Sequence, residues 1–195
     1  IAETVDYNGM LNGHAVNVST NFSYRDGWYD YPKREFRGFG NVTEGKAEET
    51  LISHLFLQTD GLKGREYETE IIDNKTGLSY QQRRYTWNAT LIDNGYHITH
   101  LLDENASFFD GAQTNPRITN TLYQYDIYGN VVTKIQDGDI SIGGDERYEY
   151  FEFVYNTNKW IVDSVKRYLL YDDVDNTTKL RETQYSYDGL AFEAT

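Results

Sequence analysis

Turn dipeptides recur at hairpin spacing along most of this sequence, and that punctuation constrains the fold more than any other feature. Asp93-Asn94-Gly95 separates Thr86 to Ile92 from Tyr96 to Leu102, two segments rich in β-branched and aromatic residues; it is the strongest hairpin signal in the chain. Asp73 to Gly77 stands likewise between Glu66 to Ile72 and Leu78 to Trp87, with Gly77 placed for a left-handed residue. Pro116 leads into Arg117 to Tyr125, and Asp126 to Asn130 turns the chain back into Val131 to Gln136. Arg147 to Tyr155, Trp160 to Tyr171 and Lys179 to Tyr187 continue the series, with turns at Asn156 to Asn158 and Asp173 to Asn176. Upstream, Val16 to Trp28 precedes a strand that follows Pro32 and ends near Thr43, whereas Ile1 to Ser19 carries only weak signals, Asn8-Gly9 and Asn12-Gly13 around Met10-Leu11. In Glu44 to Leu57, a period of two from Thr50 to Leu57 favours a strand covered on both faces over a helix from Ala47 to Leu55. The pattern predicts an all-β fold, an antiparallel meander of successive β-hairpins, with residues 1–195 forming a single β-rich segment.

Composition supports strands and removes several function classes. Tyr contributes 18 residues and aromatics 15%, side chains that fit a pleated, half-buried surface. With no cysteine there is neither a disulfide framework nor a thiolate metal site. A net charge of -13 opposes binding to phosphate backbones, so nucleic acid is not an expected partner. No apolar run reaches the roughly 20 residues of a membrane span. Starting at Ile1 with no signal-like stretch, the chain reads as a fragment of a larger protein. Seven Asn-x-Ser/Thr sequons occur, at Asn17, Asn21, Asn41, Asn74, Asn88, Asn105 and Asn176; a secreted eukaryotic protein would glycosylate some of them, while a chain rich in Asn and Thr also generates them by chance.

One stretch asks for special backbone geometry. Tyr29-Asp30-Tyr31-Pro32 reads as a turn, followed by a strand carrying Arg34, Glu35, Phe36, Arg37, Gly38, Phe39 and Gly40. Two glycines two apart share a strand face and mark a notch or a bulge. Pairing around the Pro32 turn, with opposite residues summing to about 62, sets Tyr24 against Gly38 and Phe22 against Gly40. An aromatic ring would then lie over a cross-strand glycine; the competing expectation is a bulge at Gly38 or Gly40.

A loose repeat appears further on. Tyr123-x-Tyr125-Asp126-x-x-Gly129-Asn130 and Tyr185-x-Tyr187-Asp188-Gly189 share a Tyr-x-Tyr-Asp core ahead of a glycine, with Tyr171-Asp172 a degenerate third copy. The Asp can cap its own turn and the Gly supplies the positive φ. Tyr125-Asp126-x-x-Gly129-Asn130 is similar to the YD repeat of Rhs proteins. Together with Arg34 to Gly40 (REFRGFG), Gly61 to Glu66 and the Trp160 to Val162 strand, it makes residues 20–190 resemble the middle region of the B component of bacterial insecticidal toxin complexes. Tyr31-Pro32 departs from that pattern, where a Gly and an acidic residue are expected. The resemblance implies a secreted or cell-surface bacterial protein in which a long spiralling β-sheet forms a hollow shell around a C-terminal toxin polypeptide. This chain would be a piece of wall whose partners are neighbouring β-shell segments and the enclosed toxin, with no cofactor and no catalysis.

Other chemistry is thinly represented. His97 and His100, three apart, point to opposite faces of a strand and make a poor metal pair; His14 and His54 have no sequence partner. Asp172-Asp173-x-Asp175 and Asp137-Gly138-Asp139 read as solvated turns. Glu48-Glu49 and Asp145-Glu146 are acidic pairs with no discernible cleft. The alternative function is a carbohydrate- or surface-binding β domain using Trp28, Trp87 and Trp160 as stacking surfaces.

Overall fold

The computed structural model describes residues 2–11, 14–46, 50–92, 95–109, 113–172 and 177–187; for residues 2–11, 14–18 and 46 the backbone alone is described. Twelve strands among them form one antiparallel meander in which spatial order follows chain order. They are β1 (Ala2–Leu11), β2 (His14–Asp30), β3 (Glu35–Lys46), β4 (Thr50–Phe56), β5 (Glu66–Asp73) and β6 (Ser79–Leu91), then β7 (His97–Phe108), β8 (Arg117–Tyr125), β9 (Val131–Asp137), β10 (Arg147–Asn156), β11 (Ile161–Tyr171) and β12 (Lys179–Gln184). The all-β meander expected from the turn spacing is what the chain adopts. Two compact units are distinguished within it: residues 1–99 with 106–117, and residues 100–105 with 118–195.

Several boundaries differ from the sequence reading. Ala2–Leu11 is a full strand paired with β2, and its ladder is irregular between Tyr7 and Met10, so Asn8-Gly9 makes a bulge where a turn was expected. The segments read as Leu78 to Trp87 and Thr86 to Ile92 are one strand, β6. Thr50–Phe56 is a strand paired on both sides, as its alternation predicts, while Glu44 to Lys46 belongs to β3. Asn12-Gly13, Asp93-Asn94, Glu48-Glu49, Asp173 to Asn176, Asp188 and Gly189 lie outside the described residues.

Few of the described residues are deeply buried. Among the described residues, the buried hydrophobics are Ala106 and Leu169, and the buried polar residues are Arg37 and Thr133. Most other strand positions are half-covered. Among the described residues, ladders, cross-strand pairs and side-chain anchors to backbone therefore carry much of the sheet's stability.

The β2–β3 register corrects the expected pairing. Asp30 pairs with Glu35 and Tyr29 with Phe36, then Gly27 with Phe39, Tyr24 with Val42 and Phe22 with Glu44. The turn is longer than a Pro32-centred one. It takes in Tyr31 to Arg34, closed by Arg34 N–H on the Tyr31 carbonyl (3.3 Å), with Arg34 itself left-handed at φ 53°. Arg34 is therefore a turn residue, where the sequence placed it in the strand. Beyond the turn, Arg37 and Gly38 together oppose Trp28, a bulge that Gly38 accommodates with φ +88°. The ring-on-glycine contact exists with other partners. A Cβ on Gly27 would sit 3.2 Å from the Phe39 ring and 3.6 Å from the Phe36 ring.

Gly38→Val should therefore act through backbone strain, since nothing lies within 4 Å of its would-be Cβ. A β-branched residue at this φ costs roughly 1–3 kcal/mol. Urea denaturation should show that loss for Gly38→Val and a much smaller one for Asn41→Val, whose side chain accepts only a long 3.4 Å bond from Thr43. Equal losses would refute the bulge as the reason for the glycine.

Candidate functional site

The bulge turns Arg37 onto a cluster of carboxylates. Arg37 is 4% exposed, the most buried charged residue described. Its Nη2 donates to Asp30 Oδ2 at 2.5 Å, its Nη1 lies 2.5 Å from Asp60 Oδ1 as an ion pair without hydrogen-bond alignment, and its Nε is 3.4 Å from Glu35 Oε2. Lys33 pairs with Asp60 and Lys63 with Glu35, so two cations and three carboxylates surround the guanidinium. Trp28 lies 5.7 Å from it, ring centroid to Cζ. Gln58 Nε2 donates to the Asp26 carbonyl (2.8 Å) and the Gly38 carbonyl (2.9 Å), tying the bulge to the loop after β4. A buried cation of this kind is tolerated only with such pairing.

On the same hairpin, rings are displayed. Tyr24 packs on Phe39 (5.0 Å between centroids), Phe39 on Phe36 (5.3 Å), and Tyr29 on Tyr31 (5.1 Å). All five remain more than a third exposed.

The carboxylates of the cluster titrate low. Lys33 and then Arg37 draw the Asp60 carboxyl down to about 2, against partial desolvation. Arg37 lowers Asp30, and Lys63 lowers Glu35. With the folded pKa below the unfolded one, the unfolded chain binds more protons through this window. The contribution of Asp60 is present above about pH 4 and is lost as the pH falls through about 2. Denaturation midpoints measured from pH 5 to pH 2 should fall less steeply for Asp60→Asn than for the wild type; identical slopes would remove Asp60 from the account.

The second cluster is built on Asp126. Asp126 Oδ1 accepts from the Tyr128 and Asn130 backbone N–H groups (2.9 Å each), and Oδ2 accepts from Asn130 Nδ2 and the Tyr155 hydroxyl (2.8 Å each). Asn130 Nδ2 also donates to the Val162 carbonyl at 2.7 Å, so the Asp126 carboxylate ties the β8–β9 turn to β10 and its partner Asn130 ties it to β11. Gly129 closes the turn at φ +89°, its N–H 3.2 Å from the Asp126 carbonyl. Burial opposes the charge on Asp126, but hydrogen bonds from Asn130 and Tyr155 hold its pKa below the usual value. Burial, reinforced by the Asp126 carboxylate, pushes the Tyr155 hydroxyl up to about 12.

Tyr125 precedes this turn, stacked on His100 at 4.2 Å, and donates its hydroxyl to the Leu101 carbonyl at 2.8 Å. Tyr187, in the second copy, donates to the Val165 carbonyl at 2.7 Å.

The structure thus gathers Asp30, Glu35 and Arg37 into one cluster, and Tyr125, Asp126, Gly129 and Asn130 into another. Tyr29, Phe36 and Phe39 stay on the displayed face. Asp60 and Gln58 were not marked by the sequence, because they reach Arg37 and Gly38 from a loop about twenty residues away with no local spacing signal. His54 has partners after all. Its Nδ1 lies 2.5 Å from Glu66 Oε1, which β4–β5 pairing brings alongside. The His97 ring packs against Gly61 and the His100 ring on Tyr125. Trp87 is half-buried and donates to the Glu66 carbonyl, whereas Trp160 is 73% exposed.

Comparisons with known proteins agree with this picture. Residues 3–69 match the family described as "Insecticide toxin TcdB middle/N-terminal region". The crystal structure of TcdB2-TccC3 without its hypervariable C-terminal region aligns over 79% of this chain with a TM-score of 0.62 at 13% identity. The Photorhabdus luminescens Tc holotoxin pore aligns over 79% with a TM-score of 0.62 at 11% identity. The chain corresponds to 12% of the length of each of those solved chains. No curated protein matches it. The resemblance to the middle region of a toxin-complex B component, read from the Arg34 to Gly40 stretch, is thereby shown.

Proposed function

From the match of residues 3–69 to the TcdB middle/N-terminal region, we propose that this chain is a structural wall segment of a secreted, toxin-complex-like protein. It serves to enclose a toxin or effector polypeptide and carries out no catalysis. The observation that supports this most directly is the Arg37 cluster, which converts REFRGFG, within the matched residues, into a bulged, charge-locked hairpin. An antiparallel meander of twelve strands in chain order, with Ala106 and Leu169 the buried hydrophobics among the described residues, fits a wall that is extended strand by strand. Its partners in this reading are adjoining β-sheet segments and the enclosed polypeptide. Tyr29 to Gly40 and the Tyr-Asp elements at Tyr125 and Tyr187 hold the wall's shape.

Electron microscopy of the parent protein tests the reading. A hollow, β-walled particle with this chain in its wall, and a polypeptide inside that trypsin reaches only after denaturation, is the expected result. A solid particle, or an internal polypeptide digested as fast as it is when free, would overturn it.

A further inference from the structure

Three hairpins share a contact that their strand ladders do not require. Trp87 on β6 donates from Nε1 to the Glu66 carbonyl on β5 at 2.7 Å. Tyr125, the last residue of β8, donates to the Leu101 carbonyl on β7 at 2.8 Å, and Tyr187, just past β12, to the Val165 carbonyl on β11 at 2.7 Å. Each time an aromatic donor at or beyond the middle of a strand reaches the strand immediately before it, 21, 24 and 22 residues back. A second group packs on two of the rings: the Arg65 guanidinium lies 5.2 Å from the Trp87 ring, and His100 stacks on Tyr125.

A sheet specifies its pairing strongly where one face is buried, because a slip would then expose that face; half-covered sheets lack this guard. With Ala106 and Leu169 the buried hydrophobics described and most described strand positions half-covered, that guard is weak here. We infer that Trp87, Tyr125 and Tyr187 are hairpin latches, each clamping its strand onto the carbonyl of the preceding strand and holding the pair against local opening. This assigns the tyrosine of the Tyr-Asp element a task separate from that of the aspartate, which organises the turn. The inference holds whether or not the parent protein encloses anything.

Hydrogen exchange followed by mass spectrometry on the intact protein tests it. Trp87→Phe, Tyr125→Phe and Tyr187→Phe remove the donor and keep a ring. Tyr96→Phe, at a tyrosine 68% exposed, is the control. Each latch variant should exchange roughly five- to tenfold faster in peptides from its own hairpin, with the other hairpins unchanged. Placing 4-aminophenylalanine at position 125, which restores a donor, should return exchange to the wild-type rate. Exchange indistinguishable from the control, acceleration spread evenly over the chain, or no rescue by the amino analogue would each overturn the inference.

Discussion

Replacing Asp126 with Ala is expected to destabilise the protein by roughly 2–4 kcal/mol, more than any surface substitution of an acidic residue. The carboxylate accepts four hydrogen bonds, from the Tyr128 and Asn130 backbone, the Asn130 side chain and the Tyr155 hydroxyl. Alanine leaves those donors without their acceptor in a half-buried turn, and the cost is that of unsatisfied groups more than of one lost contact. Asp126→Asn should lose less, since one carbonyl oxygen still accepts while the amide opposes the remaining donors. Tyr155 supplies an independent reading. Its hydroxyl, held up at about 12 by burial and by Asp126, should ionise at lower pH in Asp126→Ala, as followed by tyrosinate absorbance. An Asp126→Ala protein with wild-type stability and an unmoved Tyr155 titration would show that the hub is ornamental.

Gly61→Ala is the second large effect, again of the order of 2–4 kcal/mol. Two costs coincide there. Gly61 has φ +75°, and an added Cβ would lie 2.7 Å from the His97 ring and 2.9 Å from the Ala89 Cβ. The ring has limited room to retreat, because Thr99 Oγ1 donates to the Gly61 carbonyl at 2.6 Å and holds the loop against β7. Gly64→Ala, with φ +74° and open space around its would-be Cβ, carries the backbone cost alone. Thermal denaturation of the two variants should therefore separate strain from crowding. If both lose the same amount, crowding at His97 contributes nothing.

The sequence revealed most where local chemistry decides the outcome. Asp73 to Gly77 closes with Gly77 at φ +73°, its N–H on the Asp73 carbonyl, as the loop residues require. Asp126 caps its own turn and Gly129 takes the positive φ. Thr50–Phe56 is a strand, as its period of two predicts, hydrogen-bonded along its two edges to β3 and β5. The failures are equally physical. The β2–β3 register depended on turn length and on one extra residue at Arg37–Gly38, and each moves every downstream pair without changing composition. Asn8-Gly9 has the chemistry of a turn, but in a ladder already flanked by pairing the same freedom makes a bulge. Asp60 and Gln58 join the Arg37 cluster through tertiary placement, which no spacing within REFRGFG encodes. Of the marked residues, Asp30 and Glu35 do converge on a third, Arg37, whose burial could not be read from its neighbours in the chain.

Spatial order and chain order coincide in all twelve strands, and this has a kinetic consequence. Each strand needs only the strand just made before it, so contact order is low for a β protein and loop-closure entropy is spent in small steps. Emerging from a ribosome at about 5–20 residues per second, the chain can add one hairpin arm at a time onto an edge that is already in place. The growing edge is itself the template, and the sheet lengthens vectorially, like knitting from a single needle.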